Sequence, residues 1–267
     1  MTTSCVVAVI NTWSTEKQVA SDGIGCFSSI ICGLRWRQRS YSWDEVMKSA
    51  FACALASAVL GLGAAQAETP EVAFNAGVVS DYVFRGASQT GGSAALQGGV
   101  DVDWGAFYLG SWASNVDFGD DTDAEIDLYG GYRTEAAGYA LDFGAGSYFY
   151  VNEPGGADYN YVEFKALASR AIGPATLGAA VYYSFDYFGV DEEAAYVEAN
   201  AAFIPAAKWT ISGAVGHQWL DVSGDYATWN LGAAYALTDH LALDVRYHDM
   251  DSPQAEDRVT AGLKFNF

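Results

Sequence analysis

The chain reads as all-β: a transmembrane, antiparallel, up-and-down β-barrel of about twelve strands. Three observations predict it. From about residue 70 onward, apolar and polar residues alternate, and no helical three-to-four-residue periodicity is sustained. Glycine (29) and aromatic residues (15%) are abundant and proline scarce (5), which suits strands joined by tight turns. The connections between the alternating runs switch regularly between short and long.

The pattern is set by residues 72–90, VAFNAGVVSDYVFRGASQT. Val72, Phe74, Ala76, Val78, Ser80, Tyr82 and Phe84 fall on one face, and Ala73, Asn75, Gly77, Val79, Asp81, Val83 and Arg85 on the other. Read as one strand, the run is about 13 or 14 residues long, against roughly five or six in soluble proteins. An apolar outside and a charged inside are what lipid on one face and water on the other require.

Eleven further runs repeat it. Residues 94–104 place Leu96, Val100, Val102 and Trp104 outward, with Gln97, Asp101 and Asp103 inward. Residues 106–116 are read with Tyr108, Trp112 and Val116 outward. Residues 124–134 turn Ile126, Leu128 and Tyr132 out, and Glu125, Asp127 and Arg133 in. Residues 139–151 turn Leu141, Phe143, Phe149 and Val151 out and Asp142 in; residues 160–168 turn Val162 and Phe164 out, Glu163 and Lys165 in. Residues 175–185 set Leu177, Val181, Tyr183 and Phe185 outward, with Asp186 inward. Residues 195–203 set Val197 and Phe203 outward, Glu198 and Asn200 inward. Residues 209–219 expose Trp209, Ile211 and Val215, and 227–237 expose Trp229, Leu231, Tyr235 and Leu237. Residues 241–247 expose Leu241, Leu243, Val245 and Tyr247, with Asp244, Arg246 and the adjoining His248 inside. Residues 259–267 expose Val259, Leu263, Phe265 and Phe267, with Arg258, Lys264 and Asn266 inside.

No acidic or basic residue of these runs points outward. The inward acids are Asp81, Asp101, Asp103, Glu125, Asp127, Asp142, Glu163, Asp186, Glu198 and Asp244; the inward bases are Arg85, Arg133, Lys165, Arg246, Arg258 and Lys264. A charge facing lipid at the midplane costs roughly 2–4 kcal/mol, so this exclusion has a physical cause. A soluble sandwich would do the reverse and show its charged face to water. Outward aromatics near run ends (Phe84, Trp104, Tyr139, Trp209, Trp219, Phe267) fit interfacial girdles.

Residues 47–67 carry a short basic start, an apolar stretch and an Ala-x-Ala exit at Ala65 and Ala67, the pattern of a cleaved signal peptide. Residues 1–46 precede it and are read as a start assigned too early, with a cytoplasmic extension as the alternative. All four cysteines (Cys5, Cys26, Cys32, Cys53) lie before residue 68, so the body has no thiolate metal site and no cysteine nucleophile. The balance of 13 basic to 33 acidic residues argues against a nucleic-acid partner.

Little points to catalysis. His217 is outward beside Trp219, His240 lies in a turn, and His248 is inward near a long loop. A barrel hydrolase would need a serine beside such a histidine. No cofactor or metal is expected. The acidic loops, with Asp117, Asp120, Asp121, Asp123 and Asp191 to Glu193, read as solvated surface, against a competing role in divalent-cation binding.

The block Asn75 to Thr90, NAGVVSDYVFRGASQT, resembles the opening block of the TorF family of proteobacterial porins. The likeness extends through Asp127 to Tyr132, Tyr161 to Glu163 and Asp244 to Tyr247, and is weaker there. It implies a pore without naming its solute. Leu263, Phe265 and Phe267 resemble the terminal signal read by the outer-membrane assembly machinery.

The sequence therefore predicts a monomeric outer-membrane barrel among lipid and lipopolysaccharide, with both termini periplasmic. It would pass small polar solutes with a mild cation preference. A structural or adhesive barrel is the competing class, its lumen closed by charges and by side chains such as Tyr148, Tyr150 and Tyr182.

Overall fold

The computed structural model describes residues 69–252 and 256–267. The signal segment with Ala65 and Ala67, and the extension before it, lie outside the described residues. In chain order the strands are β1 (Glu71–Val79), β2 (Val83–Phe84), β3 (Ala87–Ser88), β4 (Ala95–Trp104), β5 (Phe107–Asn115), β6 (Ala124–Ala136) and β7 (Tyr139–Val151). Then come β8 (Tyr161–Ile172), β9 (Ala175–Ser184), β10 (Ala194–Ala206), β11 (Trp209–Leu220), β12 (Tyr226–Ala236), β13 (Leu241–Met250) and β14 (Arg258–Asn266). β1 and β4 to β14 form one closed antiparallel barrel, each strand beside its sequence neighbours; β2 and β3 make a separate ribbon.

Closure joins the two ends of the described chain. Asn75 pairs with Asn266, the Phe74 N–H donates to the Phe267 carbonyl at 2.7 Å, and the Phe267 N–H donates back at 3.0 Å. The two rings stack with centroids 5.7 Å apart. No strand edge of the barrel is left to pair with another chain.

The alternation follows the predicted sign. Val72, Leu96, Leu128, Val215, Leu231 and Val259 are exposed on the outside, while Glu125, Glu163 and Gln218 are buried within. A soluble protein would not wrap itself in such a continuous apolar band. At the turn end, Arg170 points outward and lays its guanidinium 5.3 Å from the Tyr139 ring; at the long-loop end, Asp249 is outward opposite Trp229. Both charges sit at rims, because β8 and β13 run further than the sequence suggested. A long charged side chain is tolerated there, where its head reaches water.

The phase of β5 is opposite to the expectation. Phe107 and Leu109 are exposed, and Tyr108, Trp112 and Val116 are buried. The cause is the two-residue turn at Gly105 and Ala106: Trp104 pairs directly with Phe107, so both rings face outward. Gly105 takes φ 61°, which glycine adopts freely.

The lumen-facing glycines make room for this shift. A Cβ at Gly131 on β6 would stand 2.5 Å from the Phe143 carbonyl oxygen and 2.5 Å from the Tyr108 hydroxyl. Gly131→Ala is expected to cost about 1–3 kcal/mol, because backbone as well as a side chain must move. A urea midpoint in lipid unchanged from the parent protein would contradict this.

Candidate functional site

The first strand ends at Val79, well before Arg85, and the next residues turn into the barrel. Asp81 causes the departure. Its Oδ1 accepts hydrogen bonds from Ser88 Oγ at 2.6 Å and Thr90 Oγ1 at 2.9 Å, and its Oδ2 meets Arg258 Nη1 at 3.1 Å. These bonds fold residues 81–90 back on themselves, with Val83 opposite Ser88 and Phe84 opposite Ala87. Arg85 (φ 47°) and Gly86 (φ 87°) form the tip. A Cβ at Gly86 would lie 2.7 Å from Met250 Cβ, so both conformation and space require glycine.

Tyr82 and Phe84, expected on the lipid face, are instead buried inside the barrel. The hairpin meets the wall almost all the way round. The Tyr82 ring packs edge-on against Trp112 of β5, and its hydroxyl donates to Glu125 of β6 at 3.1 Å. Phe84 packs on Tyr148 of β7. Arg85 reaches β8, where its two terminal nitrogens meet both oxygens of Glu163 at 2.8 and 2.9 Å, and β11, where Gln218 Oε1 accepts at 3.0 Å. The guanidinium lies 4.9 Å from the Tyr182 ring of β9 and 4.3 Å from the Tyr196 ring of β10. Arg85 and Glu163 side chains are only 5% and 3% exposed. A fork-to-fork pair held between rings is the strongest geometry available to arginine.

Three other long loops cover the hairpin. Phe118, Tyr159 and Phe188 pack with Tyr150, and Phe188 also packs on Tyr161, which stacks on Tyr148 at 4.3 Å. The acidic residues of these loops act as staples. Glu192 accepts from the Val222 and Ser223 N–H groups at 2.6 and 2.5 Å, and Glu193 accepts from Tyr183 Oη at 2.6 Å. Asp117 accepts from the Gly119 N–H and Asp123 from Asn152. The Thr122 N–H, then the Tyr159 hydroxyl, hold the Asp120 carboxyl below the usual range; the same bond pushes the Tyr159 phenol up. Among the described residues, no three of His, Cys, Asp and Glu converge on a metal position.

Below the hairpin the lumen wall carries a second network. Arg133 bridges Asp103 at 2.5 Å and Asp142 at 3.5 Å and lies 3.9 Å from the Tyr108 ring, whose hydroxyl donates to Asp142 at 2.7 Å. Lys165 approaches the same ring. Asp101 accepts from Tyr129 Oη at 2.6 Å, and Glu198 from Tyr196 and Asn200. Arg246 is held by Asp244, Asn230 and Ser212. Lys264 stands inward near Asp244 and Arg246. Asp127 follows Glu125 two residues along the same face.

The structure thus gathers the predicted inward charges inside the barrel, except that Asp81 and Arg85 stand on an insert rather than on a strand. They pair with Arg258 and Glu163, not with each other. Asp186 is displaced: β9 ends at Ser184, and the exposed Asp186 carboxylate accepts the Asp191 N–H at 2.8 Å to close a loop turn. His217 packs at a tilt against Trp219 outside, and His248 Nε2 lies 3.2 Å from Thr260 Oγ1.

No curated protein matches the chain. Among solved structures it resembles the KdgM porin, with TM-score 0.51 and 8% identity over 74% of this chain and 99% of that one. It also resembles a porin refined at 1.8 Å resolution (TM-score 0.38, 18% identity, 65% of this chain), of whose length it spans 62%. A third likeness is the COG4313 outer membrane channel from Pseudomonas putida F1, with TM-score 0.44 and 11% identity over 74% of this chain and 93% of that one. At 8% identity the KdgM likeness is one of fold. Residues 64–264 match the model of the Gcw_chp family, described as bacterial protein of unknown function, and the chain belongs to that family.

Proposed function

We propose that this protein is an outer-membrane channel of the TorF porin type, narrowed near its long-loop end by the inward hairpin. It passes small polar solutes and leans toward cations. The observation that supports this best is the separation of faces: an apolar exterior around a lumen lined by charged and hydrogen-bonded side chains. Lipid selects the first and water or a polar solute the second. The long acidic loops then face outward from the cell, the termini face the periplasm, and the signal segment is removed on export. Leu263, Phe265 and Phe267, in phase on the outer face of the closing strand, serve the assembly machinery. The barrel works as a monomer among lipid and lipopolysaccharide, and needs no cofactor.

The cation preference rests on how the acids are answered. Asp101 and Glu198 are held by tyrosine or amide donors rather than by arginine, so the lumen keeps acids that no arginine answers. The KdgM porin has been seen with oligogalacturonate, a polyanion; the acidic mouth here suits different cargo. A second reading is a structural barrel with a permanently filled lumen, and the burial of Glu163, Gln218 and the hairpin favours it.

Planar-bilayer recordings across a salt gradient separate the two. The channel reading expects steady openings and a reversal potential on the cation side. Strong anion selectivity would overturn the cation preference, and a folded but silent barrel would favour the filled reading.

A further inference from the structure

We infer that the barrel wall carries a guanidinium-recognition site, built by Glu163, Gln218, Tyr182 and Tyr196, which Arg85 occupies as an internal ligand. When the hairpin withdraws, the site takes a guanidinium-bearing organic cation from solution. The inference deepens the channel reading by naming a solute class, and it rests on that reading for the route by which the solute arrives.

The site belongs to the wall and its occupant does not. Its four residues come from four consecutive strands, β8 to β11, all inward and near the long-loop end. Arg85 hangs from a two-residue ribbon at the end of β1. The wall supplies what a planar guanidinium needs. Both Glu163 oxygens accept from it in parallel, and Gln218 Oε1 accepts at 3.0 Å. Gln218 is fully buried, and its Nε2 lies 3.3 Å from the Ala195 carbonyl oxygen, which turns Oε1 toward the cation. Tyr182 and Tyr196 add two ring faces. A carboxylate fork, an amide oxygen and two aromatic faces discriminate a guanidinium from a compact ammonium, which offers a point charge and no plane to stack. With the Arg85 side chain alone removed and the hairpin still in place, a carboxylate at 3% exposure is left without its cation.

The test is chemical replacement in the full chain purified folded from membranes. Arg85→Ala vacates the site; methylguanidinium is the probe and methylammonium the control of equal charge. The unfolding temperature of the variant is expected to rise saturably with millimolar methylguanidinium and not with methylammonium, while the parent protein responds to neither. Adding Glu163→Gln to the variant is expected to weaken the response by about tenfold or more, since the bidentate charge-assisted pair is lost. A variant with residues 80–94 replaced by a short turn is the second test, should Arg85→Ala fail to fold; the same response is expected. No saturable response, or an equal one to methylammonium, overturns the inference. A barrel stabilised by methylguanidinium but silent in bilayers sinks the channel reading and leaves the site standing. A conducting barrel with no response does the opposite.

Discussion

Glu163→Ala is expected to expel the hairpin rather than unfold the barrel. It leaves the Arg85 guanidinium, 5% exposed, without its carboxylate. Stripping one partner from a buried ion pair costs about 3–5 kcal/mol, because the remaining charge is stranded away from water. The hairpin has an escape that a core strand lacks. Its ribbon holds only two residue pairs; of its remaining polar anchors, Asp81 with Arg258 and Tyr82 with Glu125 lie near its base, and at the tip one hydrogen bond from Arg85 to the neutral Gln218 is left. Swinging outward rehydrates Arg85 while every strand-to-strand bond of the barrel is kept. Trypsin reads the result, since Arg85 is followed by Gly86. The folded parent should resist cleavage there, and the folded variant should be cut. Equal resistance in both would show that the pair does not hold the hairpin.

The second large effect lies on the other face. Leu231 is 55% exposed at the middle of β12, and its neighbours on that face are Trp229 and Ala233. Leu231→Lys would set an ammonium against hydrocarbon, at a cost of roughly 2–4 kcal/mol at the midplane and about 0–1 near an interface. Lysine at Val259, at the start of β14, should therefore be mild by comparison. Refolding equilibria in urea with lipid vesicles measure both. If Leu231→Lys were as mild as Val259→Lys, this surface would not face a membrane interior.

The barrel was legible because its signal is periodic. A two-residue alternation survives errors in strand ends, and the alternating connection lengths determined the neighbours. The failures share a cause, that of Asp186 beyond the end of β9 included: alternation reports which residues share a face, not where a strand stops or which face a turn delivers. At β5, one residue more in the connection after Trp104 reversed the phase of Tyr108, Trp112 and Val116. At β1, Asp81, Val83 and Arg85 continued the alternation into residues that leave the ladder. The length of the run gave no warning, since β6, β7 and β10 each hold 13 residues in the wall. The site was legible only in part. Asp81, Arg85 and Glu163 could be named as inward charges, and Tyr148, Tyr150 and Tyr182 as residues able to close the lumen. That Arg85 would meet Glu163, 78 residues later, depends on how far the hairpin reaches across the barrel, which no local pattern encodes.

The central claim is that residues 80–94 narrow a lumen that the wall alone would leave open. Val79 and Ala95 already pair opposite each other, so a short turn can replace the segment without disturbing either strand. The decisive measurement is the single-channel conductance of that variant beside the parent protein, in planar bilayers of one composition. A several-fold larger and steadier unitary conductance is expected when the hairpin is absent. An unchanged conductance from a correctly folded variant would contradict it.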